Sequence, residues 1–164
     1  MVPEAIMNGT DLQHLRRCVE LAEEALKGGN SPFGSVLVSG DGRVLAEGRN
    51  EEADGDATRH PEFALARWAA ENMSAEERAA ATVYTSGEHC AMCAAAHGWV
   101  RLGRIVYAVS TEQLLGWLGG LGAPPAPVRP LPIGEVAPEV AVEGPAPELA
   151  DEVYALHARF HGAG

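Results

Sequence analysis

Residues 81–109, ATVYTSGEHCAMCAAAHGWVRLGRIVYAV, read as a strand, a helix and a second strand. Val83, Tyr84 and Thr85 carry the β-branched and aromatic side chains that suit a pleated sheet, and so do Ile105, Val106 and Tyr107. Between them residues 91–100 are rich in alanine, which favours a helix lying close on its sheet. Such a run implies two parallel strands joined by a right-handed crossover.

Working outward, Leu12, Leu15, Val19, Ala22 and Leu26 recur at helical spacing, with Thr10 expected at the N-cap, Gln13 at N3 and Gly28-Gly29 as the stop. Ser35–Ser39 and Arg43–Gly48 form a hairpin across Gly40-Asp41-Gly42. A helix is expected from His60-Pro61-Glu62 toward Met73, with Pro61 at N1 and Phe63, Ala66 and Ala70 on one face. Ser74-Ala75-Glu76-Glu77 reads as a short capped turn. After Thr111 a short apolar helix ends at Gly119-Gly120. Eight of the eleven prolines then fall between Pro124 and Pro147, so that stretch must be largely extended or turn-like. Leu149, Val153, Leu156 and Phe160 mark a last helix. The predicted class is α/β: a three-layer α/β/α sandwich around a mixed sheet, with a C-terminal extension ending in a helix. One domain is expected over residues 1–164, with a core of about 10–112 and an extension of about 113–164.

Composition narrows the function. The chain has 164 residues and a formal net charge of −11, with hydrophobic residues at 46%. The acidity is spread: residues 1–80 hold eight basic against fifteen acidic side chains, and residues 81–164 hold four against eight. Lys27 is the single lysine. Such a chain repels phosphate backbones and anionic membranes, which argues against nucleic-acid and membrane partners. Cys18, Cys90 and Cys93 are too few and odd for a disulfide framework, and Cys18 fits a small core residue. No signal peptide is expected in MVPEAIMNGTD, and no apolar run approaches a membrane span. A soluble cytoplasmic chain is the expectation.

Two short segments carry the chemistry: His60-Pro61-Glu62 and Cys90-Ala91-Met92-Cys93. Each sits where a loop or strand enters a helix, where backbone donors favour thiolate over thiol. Cysteines three apart on a first turn can face one metal ion, and a histidine from another helix adds an imidazole. Three protein ligands leave a tetrahedral zinc one open position, as catalytic sites require. Glu62, two residues past the histidine, can serve as the base.

His60-x-Glu62 followed by Cys90-x-x-Cys93 resembles the zinc-dependent cytidine/deoxycytidylate deaminase superfamily, whose signature is His/Cys/Cys on zinc with a separate Glu. Ser31-Pro32-Phe33-Gly34-Ser35-Val36-Leu37-Val38 looks like the family's substrate-facing strand. Gly48-Arg49-Asn50 matches a strand end whose Asn binds the substrate, Thr85-Ser86-Gly87-Glu88 matches the run before the cysteines, and Arg104-Ile105-Val106-Tyr107 matches the next strand. The resemblance covers about residues 10–112. It implies the cytidine deaminase-like fold, one Zn2+ per chain on His60, Cys90 and Cys93, Glu62 as proton carrier, and Asn50, Phe33, Gly34, Ser35 and Glu88 toward substrate. It also implies a homodimer, whose tail could cross to a neighbouring subunit.

Two positions depart from the family pattern. Pro61 replaces the usual Ala, and His89 replaces the usual Pro. His89 could contact substrate, cap the helix or act as a fourth ligand, while His97 fits the core. Glu112 could be a second acid near the substrate or a helix-start acid. Trp117, Leu118, Phe160, His157 and His161 could form a lid over a small ligand or only pack on the sheet. The reaction implied is hydrolytic removal of an exocyclic amine from a small amino-heterocycle. A free aminopurine base such as guanine is placed narrowly ahead of cytosine or a nucleoside. A redox C-x-x-C, a structural zinc, and a zinc-stabilised binding protein without turnover stand as the alternatives.

Overall fold

Asn8, and not Thr10, caps the first helix, α1 (Gly9–Lys27). Its side chain accepts from the Asp11 N–H at 2.9 Å, and the Asp11 carboxylate accepts from the Asn8 N–H at 3.1 Å. The expectation of Thr10 and Gln13 fails for a tertiary reason. Asp11 is buried and also accepts from Tyr84 Oη at 2.7 Å and from both terminal nitrogens of Arg104, at 3.1 and 2.9 Å. The helix start is set by that network and not by the local pattern alone.

The structure, a computed structural model, describes residues 7–162. Strands β1 (Gly34–Val38) and β2 (Val44–Arg49) form the expected antiparallel hairpin, and β3 (Thr82–Gly87) pairs antiparallel with β1 on its other side. Strand β4 (Arg104–Val109) runs parallel to β3, as the strand–helix–strand reading requires. A fifth strand, β5 (Val142–Glu143), then joins parallel to β4, giving the order β2-β1-β3-β4-β5.

Alternation along the strands divides the core in two. Val36, Val38, Tyr84 and Val106 face α1 and the last helix, α7 (Ala150–Phe160), where Leu15, Leu149, Val153 and Leu156 meet them. Leu37 and Val83 face the opposite layer, which begins with α2 (Pro61–Asn72) and its Leu65, Ala66 and Ala69. The short α3 (Ala75–Ala80) follows, with Ser74 and Glu77 forming its capping box. Helix α4 (Ala91–Trp99) packs against α2, and its Ala94 meets Ile105 of β4. The expected buried face of α2 is rotated. Ala70 is exposed and Phe63 half-buried, while Glu62, Leu65, Ala66 and Ala69 point inward. The inward anchor is Glu62, which hydroxyls on β1 and β3 hold.

The chain after β4 continues as α5 (Thr111–Gly120), a proline-rich run, the four-residue α6 (Ile133–Val136), β5, and α7. Neither α6 nor β5 is visible as a periodic pattern in the sequence. Glu143 on β5 receives Arg104 Nε at 2.9 Å and Nη2 at 2.5 Å, so Arg104 joins the extension to Asp11 on α1. Gly34 lies directly under α1. A Cβ there would stand 2.4 Å from the Cys18 carbonyl oxygen and 2.7 Å from the Ala22 nitrogen, so only glycine permits this approach. Among the described residues no helix is long and apolar enough to cross a membrane.

Candidate active site

Two helix starts meet at the end of the sheet where β1 begins and β3 finishes. His60 is the N-cap of α2, in extended conformation, with Pro61 at N1. Proline is tolerated there because the first-turn N–H has no helical partner, and the ring rests on Gly48 of β2, where a Cβ would lie 3.2 Å from Pro61 Cβ. Cys90 is the N-cap of α4 and Cys93 lies one turn in, so both thiols rise from one helix start.

His60 Nδ1 lies 3.5 Å from Cys90 Sγ and 3.6 Å from Cys93 Sγ, and the three donor atoms fall within 4.8 Å of one another. Zinc bonds of ~2.3 Å to sulfur and ~2.0–2.1 Å to nitrogen at a tetrahedral angle give an N···S edge of about 3.5 Å. The observed edges match that figure, so the donor set fits zinc in identity and spacing. Its chemistry agrees. A hydrogen bond from the Cys93 thiol, helped by His60, draws the Cys90 pKa down. The same contact, together with burial, raises Cys93, which the Phe63 N–H draws back. The hydrogen bond to Cys90 raises His60.

Glu62 is buried beside this cluster. Ser35 Oγ lies 2.9 Å and Thr85 Oγ1 2.7 Å from its Oε1, and these two hydroxyls are register partners on β1 and β3. Both hydrogen bonds fall on one oxygen, so Oε2 is left for other partners. Burial raises the Glu62 pKa, with Thr85 and Ser35 pulling the other way. A carboxyl raised toward neutrality is suited to take up and return protons.

A cavity of about 220 Å³ opens over Glu62, His60 and Cys90. Asn50 is on one side, buried, its Oδ1 accepting from the Glu52 N–H at 3.2 Å. That leaves the amide NH2 to donate into the cavity. Phe33, Leu114, Leu118, Val128 and Leu131 supply apolar walls. The charged lining is three carboxylates, Glu52, Glu62 and Glu88, against Arg129.

The structure brings His60, Cys90, Glu62, Asn50, Phe33 and Glu88 around one cavity, with Cys93 buried beside His60 and Cys90 in the metal-ligand cluster. Ser35 stands behind Glu62, and Gly34 faces α1, donating its N–H to Ser86 Oγ at 3.1 Å. His89 is fully buried, its ring edge-on to His97 and neither ring nitrogen hydrogen-bonded among the described residues. Burial, and then His97, keep it neutral. His97 Nε2 lies 2.7 Å from the Gly103 carbonyl. Glu112 is exposed on α5 and Trp117 packs on Tyr154 of α7, so neither lines the cavity, whereas Leu118 does. His157 lies behind Phe33, ring centroids 5.0 Å apart. Phe160 and His161 lie together at the end of α7.

Sequence reasoning did not single out Thr85 as a partner of Glu62, nor Glu52, Val128, Arg129 and Leu131, among others, on the cavity wall. Ser35 is the one hydroxyl residue of β1, whereas Thr85 shares β3 with Thr82, Tyr84 and Ser86 and does not stand out in the sequence.

Comparison with known proteins fits this geometry. A family model described as the cytidine and deoxycytidylate deaminase zinc-binding region matches residues 8–109. A probable cytosine deaminase of Schizosaccharomyces pombe is 31% identical over 156 residues, 94% of each chain. The guanine deaminase of Bacillus subtilis is 38% identical over 96 residues, 57% of this chain and 61% of that one. A solved guanine deaminase from Nitrosomonas europaea superposes over 98% of this chain and 88% of its own with a TM-score of 0.66. At 18% identity that likeness is one of fold.

Proposed function

The chain belongs to the cytidine and deoxycytidylate deaminase zinc-binding family, and from that membership we propose that this zinc-dependent deaminase acts on a small, uncharged amino-heterocycle, a free aminopurine base such as guanine. The observation that carries the proposal is the cavity over Glu62. It has room for a flat bicyclic ring between Phe33 and the leucines of α5, and its three carboxylates against one guanidinium repel a phosphate-bearing substrate. The net charge of −11 supports the same exclusion for nucleic acid.

Zinc on His60, Cys90 and Cys93 supplies a water activated at neutral pH. Asn50 donates its amide N–H to an acceptor on the ring and fixes the edge presented to Glu62. Phe33, Leu114 and Leu118 hold the ring plane and keep bulk water out. Glu62 takes the proton from the attacking water as oxygen adds to the carbon bearing the amine. It delivers that proton to the adjacent ring nitrogen. It then takes the remaining proton from the added hydroxyl and passes it to the departing amine as the C–N bond breaks, giving ammonia and a ring carbonyl. Ser35 and Thr85 hold one carboxylate oxygen still throughout.

A second reading is cytosine or a nucleoside. The Schizosaccharomyces pombe relative, named a probable cytosine deaminase and similar over nearly its whole length, favours cytosine. Residues 1–164 are taken as one domain, because β5 and α7 of the extension complete the sheet and core. The assembled state proposed is a homodimer in the cytoplasm. The test is ammonia release by zinc-loaded protein across guanine, other aminopurines, cytosine, cytidine, adenosine and guanosine. Highest kcat/KM on guanine is expected. Preference for cytosine replaces the first reading with the second, and turnover of nucleosides alone removes both free bases.

A further inference from the structure

Glu88 lines the cavity, yet both of its carboxylate oxygens are engaged by backbone. Oε1 accepts from the Thr111 N–H, the first residue of α5, at 2.9 Å, and Oε2 accepts from the Ile133 N–H, the first residue of α6, at 2.8 Å. Its own N–H is bound to the Val109 carbonyl at 2.9 Å, which fixes its backbone to the end of β4. Cys90 follows two residues later. One side chain thus joins the metal-ligand loop to both ends of the span from α5 to α6.

Residues 121–132 need such an anchor. They hold five prolines, 124, 125, 127, 130 and 132, which donate no backbone hydrogen bonds and cannot build a ladder. The Leu121, Gly122 and Ala123 N–H groups reach back to carbonyls of α5, and from there on the backbone bonds are sparse: the Leu131 N–H bonds to Arg129 and the Pro132 carbonyl accepts from Glu135. Yet Ala126, Val128, Arg129, Pro130 and Leu131 form one wall of the cavity. Ile133, fully buried against Ala94, Ile105 and Ala137, is the first deeply packed residue after this wall, and Glu88 holds its N–H.

We propose that Glu88 is a positioning residue that latches the wall of residues 121–132 onto the zinc-ligand loop, so that it sets substrate affinity without touching substrate. The affinity part rests on the deaminase reading above; the latch itself does not. Glu88→Gln keeps the shape of the side chain but has one carbonyl oxygen for two N–H donors. Thr111→Pro removes one of those donors at an N1 position that accepts proline, leaving Glu88 intact.

Hydrogen exchange of the zinc-loaded protein, with no substrate added, reads the latch directly. Glu88→Gln is expected to lose at least tenfold protection at the hydrogen-bonded Thr111, Leu131 and Ile133 amides while keeping one zinc per chain. On the best substrate KM is expected to rise about tenfold with kcat changed less than threefold. Thr111→Pro is expected to shift both in the same direction by less. Unchanged exchange alongside a raised KM overturns the proposal in favour of direct substrate contact, and loss of zinc overturns it in favour of a role in holding the metal loop. If no substrate is found the function proposed above fails, while the exchange result still decides the latch.

Discussion

Thr85 Oγ1 lies 2.7 Å from Glu62 Oε1, across from Ser35 at the same level of the neighbouring strand. A residue of the strand that leads to Cys90 therefore orients the carboxylate that follows His60, and the two halves of the active site are aligned through the sheet.

Removing that contact is expected to slow turnover more than binding. Thr85→Val keeps the shape and deletes the donor. A hydrogen bond to a charged group contributes ~1.5–3 kcal/mol, so kcat should fall about tenfold to a hundredfold. Steady-state kinetics on the best substrate checks this, and unchanged kcat would sink the alignment role.

Glu62→Gln should retain zinc and lose proton transfer. Ammonia release should drop by roughly 10²–10⁴-fold, measured beside metal content on the same sample. A variant that keeps wild-type turnover would remove Glu62 from its assigned place.

Metal and fold should be coupled. Cys90→Ala and His60→Ala are each expected to lose bound zinc, and chelation of the wild type should lower Tm by several degrees, because ligands held 3.5–3.6 Å apart are left facing one another without the ion. Full zinc occupancy in either variant, by elemental analysis, would contradict the ligand set.

Asp11 predicts an acid-sensitive stability. Burial raises its carboxyl, but hydrogen bonds from Arg104, Tyr84 and the Asn8 backbone outweigh that and hold it at about 2, below its ordinary 3.8. A group depressed by folding stabilises above its unfolded pKa, so the contribution is complete above about pH 4 and is lost as pH falls toward 2. Asp11→Asn should cost about 3 kcal/mol at pH 7, as breaking a buried pair does, and should flatten the acid limb of a urea-melt series.

Gly34→Ala should destabilise the protein by about 1–3 kcal/mol, because the new methyl must displace backbone and not a flexible side chain. Denaturant melts measure this. A neutral result would mean that α1 can shift off β1.

The sequence made much of this legible because its signals were local. The hairpin over 34–49, the parallel pair β3 and β4, and the clustering of His60, Glu62, Cys90 and Cys93 each rest on a short pattern read in place. The parts that escaped depend on distant partners. Asn8 replaces Thr10 as cap because Asp11 is engaged by Arg104, ninety-three residues away. Strand β5 is two residues long, too short for any alternation to register. The wall at 126–131 carries prolines that announce extended chain but not where it lies, and only the Glu88 bonds reveal that. Trp117 and Glu112 share α5 with Leu114 and Leu118, and helix rotation decides which of them meets the cavity.

The fifth strand bears on how the cavity is enclosed. His60, Glu62, Cys90 and Cys93 lie within the stretch matched by the family model, which ends at residue 109, while much of the cavity wall comes from residues 111–131, after it. The sheet then takes the chain up again at residues 142–143. The cavity is thus shared between two lengths of one polypeptide: Phe33, Asn50 and Glu88 from the matched stretch stand with Leu114, Leu118 and Leu131 from the later one, and neither length encloses it alone.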